Sequence, residues 1–367
     1  MVSETADRKF MREALRLARR GAASTSPVGA VIVKDGKIIG RGYHARAGAP
    51  HAEIVALQEA GEAARGADLY LTLEPCCHYG HTPPCTEALI AAGIRRVFAA
   101  QQDPNPKVSG AGLARLRAAG IEAQVGLLQE EARELNEAHH KFIVSGLPLV
   151  TLKLACSLDG KIATHTGESH WITGEAARRF AHRLRAGHKA IMVGAGTVLA
   201  DDPQLNVRLA KGCHPRRVVV DSKGRTPPAA SVLSPCHPPT IIATTELAPA
   251  ERREELAAAG AEVLVLPQRR DKVDLEALLR ALGERDITSL LVEGGGTLAA
   301  GLLEAKLVDK VWFIIAPIII GGETAPSAVR GRGVARLAEA PRLKRVKVRR
   351  LGEDLAVGGY LPFSPIA

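Results

Sequence analysis

The first 146 residues show two hydrophobic rhythms in alternation. In 4–20 apolar residues recur every three or four positions, which predicts an amphipathic helix. Short apolar runs bounded by glycine or charged residues predict strands, with further helical segments between them. The predicted strands are 28–34, 37–43, 68–73, 95–100 and 121–126, and the later helices begin at 52 and 84 or span 110–119 and 129–144. This alternation predicts one α/β layer structure.

The rhythm is interrupted near residue 146. Gly146 and Pro148 can end a helix, and the apolar run LVTLKLA then opens a new strand. Beyond it the predicted strands are 149–155, 189–194, 216–221, 240–244, 262–266, 288–293 and 311–318, and the predicted helices are 174–186, 251–259, 274–283 and 297–305. We therefore predict two α/β domains, 1–146 and 147–367, as the length of 367 residues also suggests.

Composition favours a cytoplasmic protein without membrane spans. Aromatic residues make up only 3% of the chain, so aliphatic side chains must pack its layers. The longest apolar run, VWFIIAPIII at 311–320, is shorter than a membrane-spanning helix requires. The polar start MVSETADRKF lacks the apolar core of a signal peptide.

The net charge of +10 raises the question of an anionic partner. Arginine and lysine are dispersed along the chain, apart from RLKRVKVRR at 342–350, whose alternation is typical of a strand with a solvated face. Small anionic substrates explain this charge as well as nucleic acid does. We therefore expect no nucleic-acid partner.

A cluster of cysteine and histidine residues predicts a metal site. Three of the six cysteines, at positions 76, 77 and 85, lie within ten residues of each other, which is unlike a disulfide framework. The segment HAE at 51–53 precedes them, and histidines 78 and 81 lie among them. A zinc ion that activates water needs three protein ligands and one open position. Glu53, two residues beyond His51, could reach such a water and transfer its proton without ligating the metal.

The order His-x-Glu, Pro-Cys, Cys is the signature of zinc-dependent base deaminases, although their two cysteines are usually only three positions apart. Here eight residues, CHYGHTPP, separate Cys76 from Cys85.

Two glycine-rich turns in the second half suggest a phosphate-bearing cofactor. LLVEGGGTLAAGLL at 290–303 and VGAGTVLADDP at 193–203 each join a buried strand to a helical segment. Backbone N–H groups at a helix start can hold a phosphate. Neither turn has the spacing Gly-x-Gly-x-x-Gly, which argues against a Rossmann domain.

Several segments resemble the RibD family, the bifunctional deaminase–reductases of bacterial riboflavin biosynthesis, and the resemblance extends over essentially the whole chain. They are the CHYGHTPP insertion, GYHARAGAPHAE at 42–53, QDPNPKVSGAGLARLRAAGIE at 102–122, KLACSLDGKIA at 153–163, GESHWIT at 167–173 and the two glycine turns. The resemblance implies an N-terminal cytidine-deaminase-like three-layer α/β/α domain. It implies a C-terminal dihydrofolate-reductase-like α/β domain that uses NADPH.

The resemblance also implies roles for individual residues. His51, Cys76 and Cys85 would bind Zn²⁺, Glu53 would be catalytic, and Cys77, His78 and His81 would lie in the loop between ligands. The residues expected to line the cofactor are Cys156, Trp171, Thr197, Asp201, Ser222, Gly295, Gly296 and Thr297. The residues expected to face the substrate are Lys153, Ser169, Arg185, Leu205, Arg208 and Glu293. Arg185 and Arg208 suit the ribose 5-phosphate, because guanidinium pairs bidentately with phosphate oxygens.

The function that the resemblance implies has two steps. The 2-amino group of 2,5-diamino-6-ribosylamino-4(3H)-pyrimidinone 5′-phosphate would be removed hydrolytically, and NADPH would then reduce the ribosyl side chain to ribityl. We also expect a homo-oligomer, either a dimer or a tetramer.

Two alternatives stay open. The family has PNPxVG before its first strand, whereas this chain has STSPVG at 24–29, which is closer to tRNA adenosine deaminases. A tRNA or nucleotide deaminase with a reductase-like appendage is therefore one alternative. A zinc-stabilised RNA-binding protein whose reductase half has lost activity is the other.

Overall fold

The computed structural model describes residues 4–21, 26–46, 48–79, 83–106, 108–235 and 239–367. The chain divides into two compact units, Met1–Ser145 and Gly146–Ala367. Within the described ranges, none of the helices combines the length and the apolar character needed to cross a membrane.

The first unit is built on one mixed sheet with the strand order β2-β1-β3-β4-β5. The β1 strand pairs antiparallel with β2 and β3, whereas β3, β4 and β5 are parallel to one another. Its elements in chain order are α1 (Glu4–Ala18), β1 (Gly29–Lys34), β2 (Lys37–Tyr43), α2 (Ala52–Ala60), β3 (Asp68–Leu71), α3 (Cys85–Ala91), β4 (Arg96–Ala99), α4 (Ala111–Ala118), β5 (Glu122–Val125), α5 (Gln129–Leu135) and α6 (Glu137–Ser145).

Helices cover both faces of this sheet. On one face α2, α3 and α4 bury small and aliphatic side chains against alternate strand positions such as Ile32 and Leu69. On the other face α1 and α5 pack over the intervening positions, including Val31 and Tyr70. Burial on both sides agrees with the period of two along a strand, and it gives the three-layer α/β/α architecture that the resemblance to the RibD family implied.

The second unit contains a nine-stranded sheet with the order β10-β9-β8-β7-β13-β6-β14-β16-β15. The first seven strands in this order, from β10 to β14, are parallel to one another. The strand β16 pairs antiparallel with both β14 and β15. Its elements in chain order are β6 (Leu149–Cys156), α7 (Glu175–Ala186), β7 (Ala190–Gly194), α8 (Ala195–Asp201), β8 (Arg216–Val220), β9 (Ile241–Thr244), α9 (Ala250–Ala258), β10 (Glu262–Val265), β11 (Gln268–Arg269), β12 (Lys272–Val273), α10 (Leu275–Gly283), β13 (Ser289–Glu293), α11 (Gly296–Glu304), β14 (Lys310–Ile315), β15 (Lys344–Leu351) and β16 (Asp354–Tyr360).

The two faces of this sheet are also covered by helices. Residues of α10 and α11 pack on one face, whereas α8 and α9 pack on the other, with α7 over Trp312 and the strands near the antiparallel edge. Parallel strands buried on both faces are continuous apolar runs, which is why the sequence showed them clearly. The α/β class predicted for this half is therefore confirmed.

The structure corrects three details of the predicted elements. The predicted helix 129–144 is two helices that meet at Asn136. The buried side chain of this residue accepts from Ser26 Oγ at 2.8 Å and donates to the carbonyl oxygen of Pro27 at 3.1 Å. The strand β16 and the short strands β11 and β12 were not predicted. The strand expected at 311–318 ends at Ile315, ahead of Pro317, which has no N–H to donate to a sheet.

Candidate active sites

The first candidate site begins where α2 meets β2. Glycines at positions 40 and 42 let this helix approach the sheet closely: a Cβ at Gly42 would lie 2.0 Å from the Ala52 carbonyl oxygen, and one at Gly40 would lie 2.3 Å from that of Ala56. His51 is the N-cap residue of α2, and Glu53 lies in its first turn. The close packing therefore fixes the HAE segment against the sheet.

Cys76 and Cys85 bring two sulfur atoms to His51. Cys76 follows β3, and Cys85 is the first residue of α3. The Nδ1 atom of His51 lies 3.1 Å from the sulfur of Cys85 and 3.6 Å from that of Cys76. The backbone N–H of Cys85 also donates to the Cys76 sulfur at 3.3 Å. All three donor atoms lie within 4.8 Å of one another, which brings the predicted ligand set together.

These donors fit a zinc ion. Zn–N bonds of about 2.0 Å and Zn–S bonds of about 2.3 Å in a tetrahedron place neighbouring ligand atoms roughly 3.6 Å apart, close to the separations found here. Two adjacent thiolates would repel each other. The hydrogen bond between the two side chains lowers the pKa of Cys76 to about 4 and raises the pKa of Cys85. A divalent cation would stabilise both sulfurs as thiolates.

Glu53 is buried beside this donor set, with only 3% of its surface exposed. Burial raises the pKa of its carboxyl group because it disfavours the charged form. A carboxyl group with a raised pKa exchanges protons more readily near neutral pH, which is the property that a general acid–base group needs.

Glu74 supports the loop that carries Cys76, and the sequence analysis did not identify it. Its buried carboxylate accepts from the backbone N–H groups of Asp103 at 3.2 Å, Gly110 at 2.8 Å and Leu113 at 3.0 Å. It thereby joins the metal-ligand loop to the loop before α4 and to the first turn of α4. Glu74 lies only two residues before Cys76, but its three partners lie 29, 36 and 39 residues further along the chain, so no local spacing signal could have revealed these contacts.

The remaining residues of the ligand loop have different environments. Cys77 is partly buried, and burial raises the pKa of its thiol. His78 is exposed. His81 lies outside the described residues. His44, which the sequence analysis did not single out, makes an edge-to-face contact with His51 at 5.4 Å between ring centres.

The second candidate site lies at the carboxyl ends of the parallel strands of the second unit. Lys153 on β6 and Glu293 on β13 are direct neighbours in the sheet, and Lys153 Nζ lies 3.9 Å from Glu293 Oε2. Arg185 at the end of α7 binds the same carboxylate bidentately, at 2.9 and 2.8 Å. The structure thus brings three of the predicted substrate residues into one buried ion-pair network.

The charges in this network shift the pKa values of its members. Burial alone would raise the pKa of Glu293, but the cations Arg185 and Lys153 outweigh it and bring this pKa to about 2. Burial lowers the pKa of Lys153 despite the nearby carboxylate. Because Glu293 occupies the forked edge of Arg185, that edge is not directed to a phosphate. Arg208 is exposed, and its Nη1 donates to Asn206 Oδ1 at 2.9 Å.

Two further pairs of predicted residues come together. The Thr197 side chain lies against the glycine turn: a Cβ at Gly294 would be 3.1 Å, and one at Gly295 3.5 Å, from its hydroxyl oxygen. Gly296 and Thr297 follow as the first residues of α11. Ser169 donates its hydroxyl hydrogen to Asp201 Oδ1 at 3.1 Å. Leu205 is buried and has a φ of 50°.

Three other predicted cofactor residues have different environments. The thiol of Cys156 is buried at the end of β6, and burial raises its pKa. Ser222 follows β8, and its hydroxyl oxygen accepts from the N–H of Val273 at 3.0 Å. Trp171 is 64% exposed and lies under the guanidinium of Arg178, 4.4 Å from the ring centre.

Two families of known proteins match the two halves of the chain. Residues 148–357 match the RibD C-terminal domain, and residues 4–101 match the cytidine and deoxycytidylate deaminase zinc-binding region. The second match includes His51, Cys76 and Cys85.

Similar proteins cover nearly the whole chain. The riboflavin biosynthesis protein RibD of Bacillus amyloliquefaciens is 45% identical over 94% of this chain and 94% of its own length. That of Escherichia coli K12 is 44% identical over 96% of this chain and 98% of its own. The structure of Acinetobacter baumannii RibD has a TM-score of 0.86 at 39% identity, covering 98% of this chain and 99% of that one.

The fold and the matched domains define a bifunctional enzyme with a zinc-binding deaminase unit and a reductase unit. The chain belongs to the RibD family of riboflavin biosynthesis proteins. Membership confirms the predicted fold class and function, and it implies Zn²⁺ and NADPH as cofactors. It favours the biosynthetic enzyme over both alternatives, because the relatives match both halves.

Proposed function

We propose that the first unit removes the 2-amino group of 2,5-diamino-6-ribosylamino-4(3H)-pyrimidinone 5′-phosphate by hydrolysis and that the second reduces the ribosyl side chain of the product with NADPH. A structural neighbour from Thermotoga maritima, 36% identical with a TM-score of 0.86, is described as a diaminohydroxyphosphoribosylaminopyrimidine deaminase and 5-amino-6-(5-phosphoribosylamino)uracil reductase. The observation that carries the proposal is the group of three donors, His51, Cys76 and Cys85, with a buried carboxyl group beside it.

In the deaminase step we assign His51, Cys76 and Cys85 to the zinc ion and Glu53 to proton transfer. Bound zinc supplies Lewis-acid activation of water. Glu53 would take a proton from this water and deliver it to the leaving amino group, so that the departing species is neutral ammonia. Its burial supports the role, because the carboxyl group can hold a proton there.

In the reductase step the buried ion-pair network supports a substrate site. NADPH supplies the hydride. Glu293 would accept hydrogen bonds from the substrate, while Arg185 and Lys153 keep the Glu293 carboxylate ionised and in position. The exposed Arg208 would bind the 5-phosphate. Ser169 and Leu205 would complete this site. The lowered pKa of Lys153 makes it the candidate to supply a proton near the reduced carbon.

The proposed cofactor site follows the glycine turn. Gly295, Gly296 and Thr297 would hold a phosphate of NADPH with backbone N–H groups at the start of α11, and Thr197 lies against this turn. The other residues assigned to the cofactor are Cys156, Trp171, Asp201 and Ser222.

We further propose that the functional domains are 1–146 and 147–367 and that the enzyme is a cytoplasmic homo-oligomer, a dimer or a tetramer. A reducing compartment suits a site that needs two cysteine thiolates. Molar mass from light scattering would test the oligomeric state.

The test of the function is incubation of the purified protein with the diaminopyrimidinone phosphate, followed by mass spectrometry. Without NADPH we expect exchange of one amino group for oxygen with release of ammonia. With NADPH we expect a further gain of two hydrogens and loss of absorbance from the reduced nicotinamide. Absence of both changes, in protein that contains zinc, would contradict the proposal. Tight RNA binding that weakens steeply with salt would revive the nucleic-acid alternatives.

A further inference from the structure

The segment 205–208, between α8 and β8, is held by three hydrogen bonds from outside itself. Arg185 Nη1 donates to the carbonyl oxygen of Asn206 at 3.1 Å. The N–H of Val207 donates to His214 Nδ1 at 3.0 Å, and the N–H of Arg208 donates to His182 Nδ1 at 3.1 Å. Each of the three consecutive residues 206–208 thus has one backbone group that is hydrogen-bonded to a side chain.

These bonds replace the support that regular secondary structure would give. Leu205, which begins the segment, is buried with a φ of 50°, a region that costs a non-glycine residue free energy unless its surroundings hold it there. Arg208, which ends the segment, has its side chain exposed at the site proposed for the substrate phosphate. The hydrogen bonds therefore determine where the Arg208 guanidinium can reach.

Both imidazoles must be unprotonated at Nδ1, because a backbone N–H can only donate. His182 is well suited to this. It is 4% exposed on α7. Burial, together with the nearby cations Arg185, Arg208 and Lys153, lowers its pKa to about 4 even though Glu293 acts in the opposite direction. A side chain that carries only donors could not take this position.

We propose that His182 and His214 are positioning residues for the reductase: their Nδ1 atoms fix the backbone of 205–208 and so place Leu205 and Arg208 against the phosphorylated substrate. This inference rests on the proposed function, because it assumes that Arg208 binds the phosphate. Neither histidine needs to touch the substrate, and both act through the backbone of the segment.

The test compares His182→Leu with His182→Asn. Leucine has a similar volume but no acceptor, whereas the Asn side-chain oxygen can take the place of Nδ1 and accept the same N–H. For His182→Leu we expect the KM for the phosphorylated reductase substrate to rise about tenfold, which corresponds to the loss of one buried hydrogen bond, with KM for NADPH within about twofold of the wild type. His182→Asn should restore most of the difference.

The variant Arg208→Ala shows how much KM rises when the guanidinium itself is removed. If His182 acts through Arg208, adding His182→Leu to Arg208→Ala should change KM for the phosphorylated substrate by less than about twofold, because the two changes remove one and the same function. Tryptophan fluorescence serves as the folding control, since both tryptophans, Trp171 and Trp312, lie in the second unit.

The outcomes separate the two proposals. An inactive wild-type reductase would overturn the proposed function and this inference together. An active wild type with unchanged KM in His182→Leu, equal increases in both Michaelis constants, or no recovery in His182→Asn would overturn this inference alone. Should His182→Leu not fold, the pair His214→Leu and His214→Asn decides by the same criteria, because His214 is exposed and tolerates replacement more readily.

Discussion

The two candidate sites are built in different ways. In the first unit, the donors come from two short segments, 51–53 and 76–85, and two sulfur atoms with a nitrogen converge on a point that a cation can occupy. In the second unit, Lys153, Arg185 and Glu293 come from three separate elements, and the one carboxylate lies between the two cations. The first arrangement depends on a metal for its electrostatic balance, whereas the second is held together by attraction between protein groups and keeps an excess of positive charge.

This difference has a consequence for stability. The thiols Cys76 and Cys85 cannot both ionise easily side by side, so the first site should lose its order when the cation is removed. The second site should be indifferent to chelators and sensitive to changes that leave one of its charges without a partner.

The largest expected effect is on the metal. Cys85→Ser should abolish zinc binding and deamination, because it removes one of three protein ligands. Reduction of substrate that has already been deaminated should persist. Zinc per chain is measured by plasma mass spectrometry after dialysis. Cys77→Ser is the matched control and should keep one zinc, so equal loss of zinc in both variants would refute the ligand assignment.

The next effect is on chemistry without loss of metal. Glu53→Gln should lower deaminase turnover about 10²–10⁴-fold, because the amide cannot carry the proton. Zinc content and reductase turnover should stay at wild-type values. The comparison requires ammonia release and NADPH oxidation to be measured on the same preparation. A reductase that falls in parallel would show that the two sites are not independent.

The difference between the sites also explains how far the sequence could predict them. His51 and Glu53 lie in one short motif and Cys76 and Cys85 in another, and the resemblance to the RibD family selected these donors among their neighbours. The structure brings the selected donors together. The helices and strands were predictable because periodicity is local. The role of Glu74 was not, because its three N–H partners lie 29 to 39 residues further along the chain.

In the second unit the resemblance gave the residues but not their arrangement. Arg185 suggested a phosphate fork, yet the strand order places Glu293 where it takes up that fork. Nothing in the local sequence signals this pairing, because it depends on Arg185 in the last turn of α7 reaching Glu293 at the end of β13. His182 was missed for a similar reason: its partner is a backbone N–H of a distant loop.

The third prediction concerns the balance of charges. Glu293→Gln leaves Arg185 and Lys153 without a counter-charge and should lower the free energy of unfolding of the second unit by about 3–5 kcal/mol at pH 7. Tryptophan fluorescence during urea denaturation reports this unit, since both tryptophans, Trp171 and Trp312, lie in it. The exposed pair Glu175–Arg179 provides the control, and Glu175→Gln should leave the free energy of unfolding nearly unchanged, because solvent screens this pair.

The same variant predicts a pH dependence. The folded pKa of Glu293, about 2, is below the ordinary value of 4.5, so the stability that its ionised form contributes is complete above about pH 4.5 and is lost as the pH falls toward 2. The difference in unfolding free energy between the wild type and Glu293→Gln should therefore shrink over this range. A difference that stays constant from pH 7 to pH 3 would mean that the carboxylate is not stabilised by its two cations.

The smallest expected effect concerns the preference for NADPH over NADH, whose only chemical difference is a 2′-phosphate. Ser222 and Lys223 follow β8 at the carboxyl end of the parallel sheet, where α/β proteins commonly bind ligands. The hydroxyl oxygen of Ser222 already accepts from the N–H of Val273, whereas its hydrogen can still be donated. Lys223 is exposed and would contribute charge alone.

Replacing both residues with alanine should raise KM for NADPH several-fold and leave KM for NADH nearly unchanged, because only the phosphate needs these donors. Lys223→Ala alone should reproduce the part of the effect that added salt suppresses in the wild type. Lys344→Ala, an exposed lysine on β15 at the opposite edge of the sheet, is the matched control for net charge. If the NADPH to NADH ratio does not move in the double variant, the phosphate is recognised elsewhere, and Arg225 in the same loop becomes the residue to replace.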